Sequence, residues 1–303
     1  MRFLSLMIAV LLVPQAAEAS RDLKSLAEST WYLHVDFERM RNSDAGAGLY
    51  AWVAKEIFKE IRKETGVELD GKLERFTAWS GKDKPPLVVM TGPFASQMEK
   101  ALLARAGEAL EKATHRNKVF YRSDSKKLES EDKDIDISFN GSDEVLVSFA
   151  VRNRVIVTFS ETDMKRLLDG GGDVPKRALS ENGLIAISAD QQLLVGSAKA
   201  DGLKEAGGEW QSSILGNTKQ VAFSIADAGK ALLVQAILEA REPELAESIG
   251  NVVRGLVGLS YFNEDMNPAV AKLLRSLQVK VDGGRLDMSV ELDPVTFVSA
   301  LED

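Results

Sequence analysis

LQVKVDGGRLDMSVELDPVTFVSAL, residues 277–301, decides how the chain is read. Val279 and Val281 alternate with polar neighbours before Gly283-Gly284, and Leu286, Met288, Val290 and Leu292 alternate after it. Two period-2 runs around a glycine pair predict a β-hairpin. Asp293-Pro294 then opens a short apolar helix pattern, and proline suits a first turn, where its missing N–H has no intrahelical partner to lose.

The same order occurs earlier. LERFTAWSGKDKPPLVVMTGPFASQMEKALL (residues 73–103) lies over LRSLQVKVDGGRLDMSVELDPVTFVSALED (residues 274–303), with Pro93 in the place of Pro294. Upstream of each copy stands a strand pattern, WYLHVDFERM or KQVAFSIAD, and then a long helical pattern. In the first, Leu49, Val53, Ile57 and Ile61 recur at helical spacing with Trp52 and Phe58 beside them. In the second, Leu245, Ile249, Val252, Leu256 and Leu259 do so after Glu242-Pro243, a helix start. Side-chain identities match poorly, so any duplication is one of structure.

Between the copies KVFYRS, IDISFN, EVLVSFAV and RVIVTFS read as strands, the last two joined around Arg152-Asn153. ETDMKRLL predicts a short helix ended by Gly170. DGGGDVP, residues 169–175, reads as a linker, because three consecutive glycines loosen the backbone. The expected architecture is α+β: two related modules, 20–172 and 173–303, each an antiparallel sheet with helices on one face.

MRFLSLMIAVLLVPQAAEAS places Arg2 before an apolar run from Phe3 to Val13 and ends in Ala17-Glu18-Ala19. That is the layout of a secretion signal cleaved after Ala19, residues 1–19, and the run falls well short of the roughly 20 residues that span a bilayer. No later stretch is apolar and long enough to span one. Removing the signal takes away one charge of each sign, Arg2 and Glu18, so the net charge stays at −8. An acidic surface repels nucleic acid, which is not an expected partner. The chain has no cysteine, which excludes disulfides, thiolate metal sites and a cysteine nucleophile. These features together predict a bacterial periplasmic or secreted protein.

The succession VDFERM, helix, FTAWSG, LVVMTGPF, helix, strand meander, and a second module closing on VKVDGGRLDMSVEL resembles exported bacterial proteins of unknown function built from tandem α+β modules. The resemblance is one of pattern over most of the chain and implies no catalytic residues.

The chemical motifs fall short one by one. GVELDGKL, residues 66–73, matches G-x-x-x-x-G-K, yet Leu73 stands where magnesium needs Ser or Thr, and Glu68 and Asp70 repel phosphate. AGAGLYA, residues 45–51, approaches the dinucleotide fingerprint, but its glycines do not follow the strand directly, and Ser43 or Asp44 reads better as a helix cap. SDSK, residues 123–126, has S-x-x-K spacing without companion motifs. His34 and His115 are the two imidazoles, and His34 falls inside a strand. Glu129, Glu131, Asp132, Asp134 and Asp136 form an acidic cluster; Asp132, Asp134 and Asp136 have the first three spacings of a calcium loop, but Ile137 occupies its glycine position and a solvated loop accounts for the cluster better.

No catalytic, cofactor or metal residue is therefore expected. The expected function is non-catalytic binding of a partner protein or an apolar ligand; the alternative is a hydrolase assembled from scattered Asp, Glu and His. Segment 243–262 carries Gly250, Gly255 and Gly258 within its apolar pattern. Each glycine costs about 1 kcal/mol relative to alanine in a helix interior, so the three mark a possible binding surface, set with ALLVQAIL (231–238) along an apolar groove between the modules.

Overall fold

The computed structural model describes residues 29–81, 84–106, 109–124, 144–174, 182–190, 217–261 and 273–302. Residues 1–19, the acidic stretch 129–136 and the strand expected at 135–140 lie outside them. The chain divides into two compact units. Of the described residues, the first takes 34–38 and 50–174, and the second takes 29–33, 39–49 and 182–302. Residues 39–49, early in the sequence, thus belong with the second unit.

Strand β1 (Ser29–Asp36) leads into α1 (Phe37–Asn42) and α2 (Gly46–Val53). Helix α2 continues through a π-helical turn, Ala54–Phe58, into α3 (Lys59–Thr65). The π turn adds one residue to the helical repeat. Phe58 and Ile61 are consequently buried, whereas Ile57, at the expected spacing, is only partly so. Phe58 meets Phe37 edge to face, with ring centroids 5.2 Å apart.

In the first unit β2 (Arg75–Gly81), β3 (Leu87–Thr91), β4 (Glu111–His115), β5 (Lys118–Asp124), β6 (Glu144–Ser148) and β7 (Arg154–Thr158) follow, with α4 (Ala95–Ala106) after β3 and α5 (Glu161–Asp169) after β7. Beside the His34–Asp36 end of β1 they lie in the order β2-β3-β7-β6-β5-β4, and each adjacent pair from β2 to β4 is antiparallel. Strands β3, β6 and β7 are buried on both faces, so their sequences LVVMT, EVLVS and RVIVT run nearly continuously apolar. The alternation read into EVLVSFAV stops at Ser148, and Phe149–Asn153 forms the connection, with Asn153 left-handed at φ 55°.

The described part of the expected linker is a fixed turn. The amides of Gly170, Gly171 and Gly172 donate to the Arg166, Leu168 and Leu167 carbonyls, and Gly171 and Gly172 take φ of 66° and 74°. The glycines are needed for left-handed capping of α5 rather than for looseness. Arg154 donates to the Gly172 carbonyl and holds the turn against β7.

The second unit contains β8 (Gly183–Asp190), β9 (Thr218–Asp227), β10 (Leu232–Ala240), α6 (Pro243–Leu259), β11 (Gln278–Asp282), β12 (Arg285–Leu292) and α7 (Pro294–Glu302). Its strands run β8-β9-β10-β12-β11, all antiparallel. The 277–301 stretch forms the expected hairpin and helix, with Gly283 left-handed at φ 55°. The long helix follows a second strand, β10, that the sequence reading passed over. The two hairpins also enter their sheets in opposite senses: β2, the first strand of its hairpin, neighbours β1, whereas β12, the second of its hairpin, neighbours β10. Strand, long helix, hairpin and helix recur in both halves, but the hairpins differ in how they join their sheets.

Register sorts the second sheet into two unlike faces. One carries the cross-strand rows Ile185–Ile225–Val234–Val290, Ile187–Phe223–Ala236–Met288–Val279 and Ala189–Val221–Leu238–Leu286–Val281. The other carries Ala186–Ser224–Gln235–Ser289–Gln278 and Ser188–Ala222–Ile237–Asp287–Lys280. The first is apolar across all five strands and has to be covered. The second grades from small buried residues on β8 and β9 to wet polar ones on β11.

Candidate functional site: the outer face of the long helix

Helix α6 covers the apolar face over β10, β12 and β11. Ala246 and Gly250 point down: Ala246 packs with Ala240 and Leu286, and Leu238, Leu245, Ile249, Val279, Val281 and Met288 close around them. A Cβ on Gly250 would lie 2.6 Å from Val281 Cγ2 and 3.6 Å from Leu286 Cδ1. Gly250 is therefore there so that the helix can sit close to the sheet, and it is no part of an outward surface. Around Gly255 and Gly258 a Cβ would find no atom of the described residues within 4 Å. Gly255 is exposed and Gly258 partly so, and among the described residues neither packs against the sheet.

The exposed apolar side chains lie beside them. Val252 is 52% exposed, Leu256 51%, Leu259 62% and the following Tyr261 59%. Helical spacing sets Val252, Leu256 and Leu259 in one apolar stripe with Leu245 and Ile249. At 100° per residue the apolar residues of α6 span about half its circumference, which is wider than contact with one sheet requires. Small residues, Ala246 and Gly250, take the seat on the sheet, and the bulky i, i+4, i+7 set of 252, 256 and 259 is left along one flank. The opposite flank is polar, with Arg254 bonded to Asn251 and Glu247. Width of the apolar arc and the placing of small residues within it were the available signals.

The C-terminal end of α6 is fixed by Arg275, which donates to the Ser260 carbonyl at 2.6 Å and lies 4.9 Å from the Tyr261 ring centroid. This cation–π contact holds the exposed tyrosine in place. On the sheet beside the helix, Ile187, Val221, Phe223, Val234 and Ala236 of the apolar face are only partly buried. Helix flank and sheet together make an apolar angle. ALLVQAIL, expected to join the helix in a groove between modules, is instead β10, and its face-directed residues form part of this floor within the second unit.

The other motif residues have structural partners. Gly66 caps α3 in the left-handed conformation at φ 71°, and the Gly71 amide donates to the Tyr50 hydroxyl, which in turn donates to Asp70. GVELDGKL is thus a turn tied down by a tyrosine. The Gly46 amide donates to Ser43 Oγ at 2.9 Å, and a Cβ on Gly46 would press on the Met40 backbone at 2.9 Å. The fingerprint-like glycines shape a helix entry. Ser123 Oγ donates to the Ala109 carbonyl.

His34 is buried and shares a 2.8 Å hydrogen bond with Thr77 Oγ1. His115, at the β4–β5 turn, sits 3.0 Å from Asp169 at the end of α5, where Arg116 is also 3.2 Å from the carboxylate and Lys118 donates to the Leu168 carbonyl. The hydrogen bond to His115 and the charge of Arg116 hold Asp169 below the usual aspartate range. This is a clamp between a hairpin and a helix end, with the cations placed on the negative pole of α5. Among the described residues no three His, Asp or Glu side chains converge as metal ligands, and no helix is long and apolar enough to cross a membrane.

No protein-family model and no curated protein sequence matches the chain. Solved structures of TP0453 are similar to it at low identity. Crystal form III is 11% identical with a TM-score of 0.46, over 94% of this chain and 99% of that one. Crystal form IV is 12% identical at 0.45, over 91% and 93%, and crystal form I is 10% identical at 0.42, over 93% and 97%. Scores at this level carry no inference about function.

Proposed function

We propose that the protein is an exported, non-catalytic binding protein of the bacterial periplasm that docks a partner protein against the outer flank of α6. The observation that carries this reading is the exposed row Val252, Leu256 and Leu259, continued by Tyr261. Three large apolar side chains at i, i+4 and i+7 are the anchor spacing of a helix recognised by a complementary protein surface. A small ligand is the weaker candidate, because small-molecule sites enclose most of the ligand and a helix flank is open. The two histidines also favour binding over hydrolysis, since His34 is held by Thr77 within the sheet and His115 by Asp169 at a helix end.

A photo-cross-linking residue at position 256, introduced into the protein exported by its own cells, should yield a discrete adduct. The same residue at Glu247, on the polar flank, should not, and Leu259→Asp should abolish the adduct at 256. Absence of an adduct at 256, or equal labelling from 247, would remove the basis for a docking face.

A further inference from the structure

From the same helix we infer that the partner is a second copy of this chain, paired through α6 about a two-fold axis with the two helices antiparallel; this rests on α6 being a docking face. An isologous interface must be self-complementary. The flank of α6 meets that condition in apolar pattern, in charge and in shape.

The apolar row is central: antiparallel pairing sets Val252 of one copy beside Leu259 or Leu256 of the other, and the row meets itself without a polar gap. Charge is separated along the helix axis. Glu242 and Glu244 outweigh the neighbouring Arg241 among the exposed residues at its start, whereas Arg275 stands at its end against Tyr261. Antiparallel pairing brings each acidic start to the basic end of the other copy, while parallel pairing would oppose like charges. Complementary ends of this kind fix orientation more than they add affinity. Antiparallel packing also opposes the helix dipoles favourably.

Shape agrees. Ser248 and Gly255 lie next to the apolar row on the side away from the sheet, and the space around Gly255 is open. Small residues at that edge let a second helix approach closely. The available surface is of the right order. Seventeen helical residues extend about 25 Å, and the helix with two adjoining strands is about 20 Å wide. That patch is about 500 Å² in projection, against roughly 800 Å² per partner in a standard interface. Partly buried Phe223, Val221 and Ile187 extend it beyond the helix.

Sedimentation velocity on the purified exported protein, from about 1 to 200 µM, tests this. A dimer is expected. Leu256→Asp and Gly255→Leu should each convert it to monomer while keeping a cooperative melting transition, lowered only by the lost association, because both positions are exposed. Glu244→Arg should weaken association several-fold, and Lys280→Glu, on the opposite face of the sheet, should leave it unchanged. A monomer across the whole range, or a dimer indifferent to both α6 variants, overturns the proposal. The cross-link at position 256 separates the two levels of inference. An adduct of twice the chain mass supports self-pairing. An adduct of any other mass keeps the docking face and refutes the second copy, and no adduct refutes both.

Discussion

Alanine at position 250 and alanine at position 255 are the same chemical change on the same helix, five residues apart, and the structure gives them opposite signs. In a helix interior, alanine is favoured over glycine by about 1 kcal/mol. At Gly255 no atom of the described residues lies within 4 Å of the new methyl group, so within a single chain the whole gain should appear as added stability. At Gly250 the methyl would lie 2.6 Å from Val281 Cγ2, a distance that real Cβ atoms do not adopt. Val281 is β-branched and stiff at χ1, so either the valine rotates off its rotamer or α6 lifts from the sheet. Overpacking of this kind costs about 1–3 kcal/mol, which cancels or exceeds the propensity gain. Gly255→Ala should therefore be about 1 kcal/mol more stable than the parent, and Gly250→Ala between neutral and about 2 kcal/mol less stable. Urea unfolding followed by far-UV circular dichroism measures both, and amide exchange in α6 localises the effect. If Gly250→Ala stabilises as much as Gly255→Ala, the helix does not rest on Val281 through Gly250 and the assignment of its faces is wrong.

Four further outcomes are expected. Gly92→Ala should be strongly destabilising, by about 3 kcal/mol or more in thermal melts, because Gly92 has φ 149° and a Cβ there would overlap the Lys72 carbonyl oxygen. Ser224→Ala should stabilise by about 1 kcal/mol, since Ser224 Oγ is buried without a hydrogen-bond partner among the described residues; a loss of stability would mean the hydroxyl is satisfied. The carboxyl of Asp169 titrates below its ordinary 3.8 in the folded chain, so its contribution is present above that value and lost as pH falls through the lower folded one. Asp169→Asn should accordingly be less stable than the parent at pH 7, with the difference closing on acidification below about pH 4, and a pH-independent difference would contradict the clamp. Intact mass of the exported protein should correspond to a chain beginning at Ser20, and one still starting at Met1 would refute the signal assignment.

Regularities of period and of turn chemistry were legible in the sequence. The Gly283 hairpin, the Pro243 and Pro294 helix starts and the antiparallel α+β character all follow from local pattern, because each depends on residues within a few positions of one another. What was hidden depended on partners distant in the chain. EKATH, β4, carries too little apolar character to announce itself and is a strand because β5 pairs with it. The π turn at Ala54–Phe58 exchanges Ile57 for Phe58 in the core, which helical spacing alone cannot foresee. Of the candidate surface, the sequence marked three glycines as unusual but not their directions. Gly250 is set apart from Gly255 and Gly258 only by the position of Val281, which is fixed by a strand some thirty residues on.

The order β8-β9-β10-β12-β11 has a consequence in time. β10 is paired on one side by β9, its immediate predecessor, but the strand that closes its other side, Arg285–Leu292, follows only after α6 and β11. Until that segment arrives, the apolar run LLVQAILEA presents an open row of backbone donors and acceptors. Open apolar edges of this type recruit strands from other molecules. The sheet of the second unit thus waits for segment 285–292, and β10 keeps an unpaired edge until that strand docks.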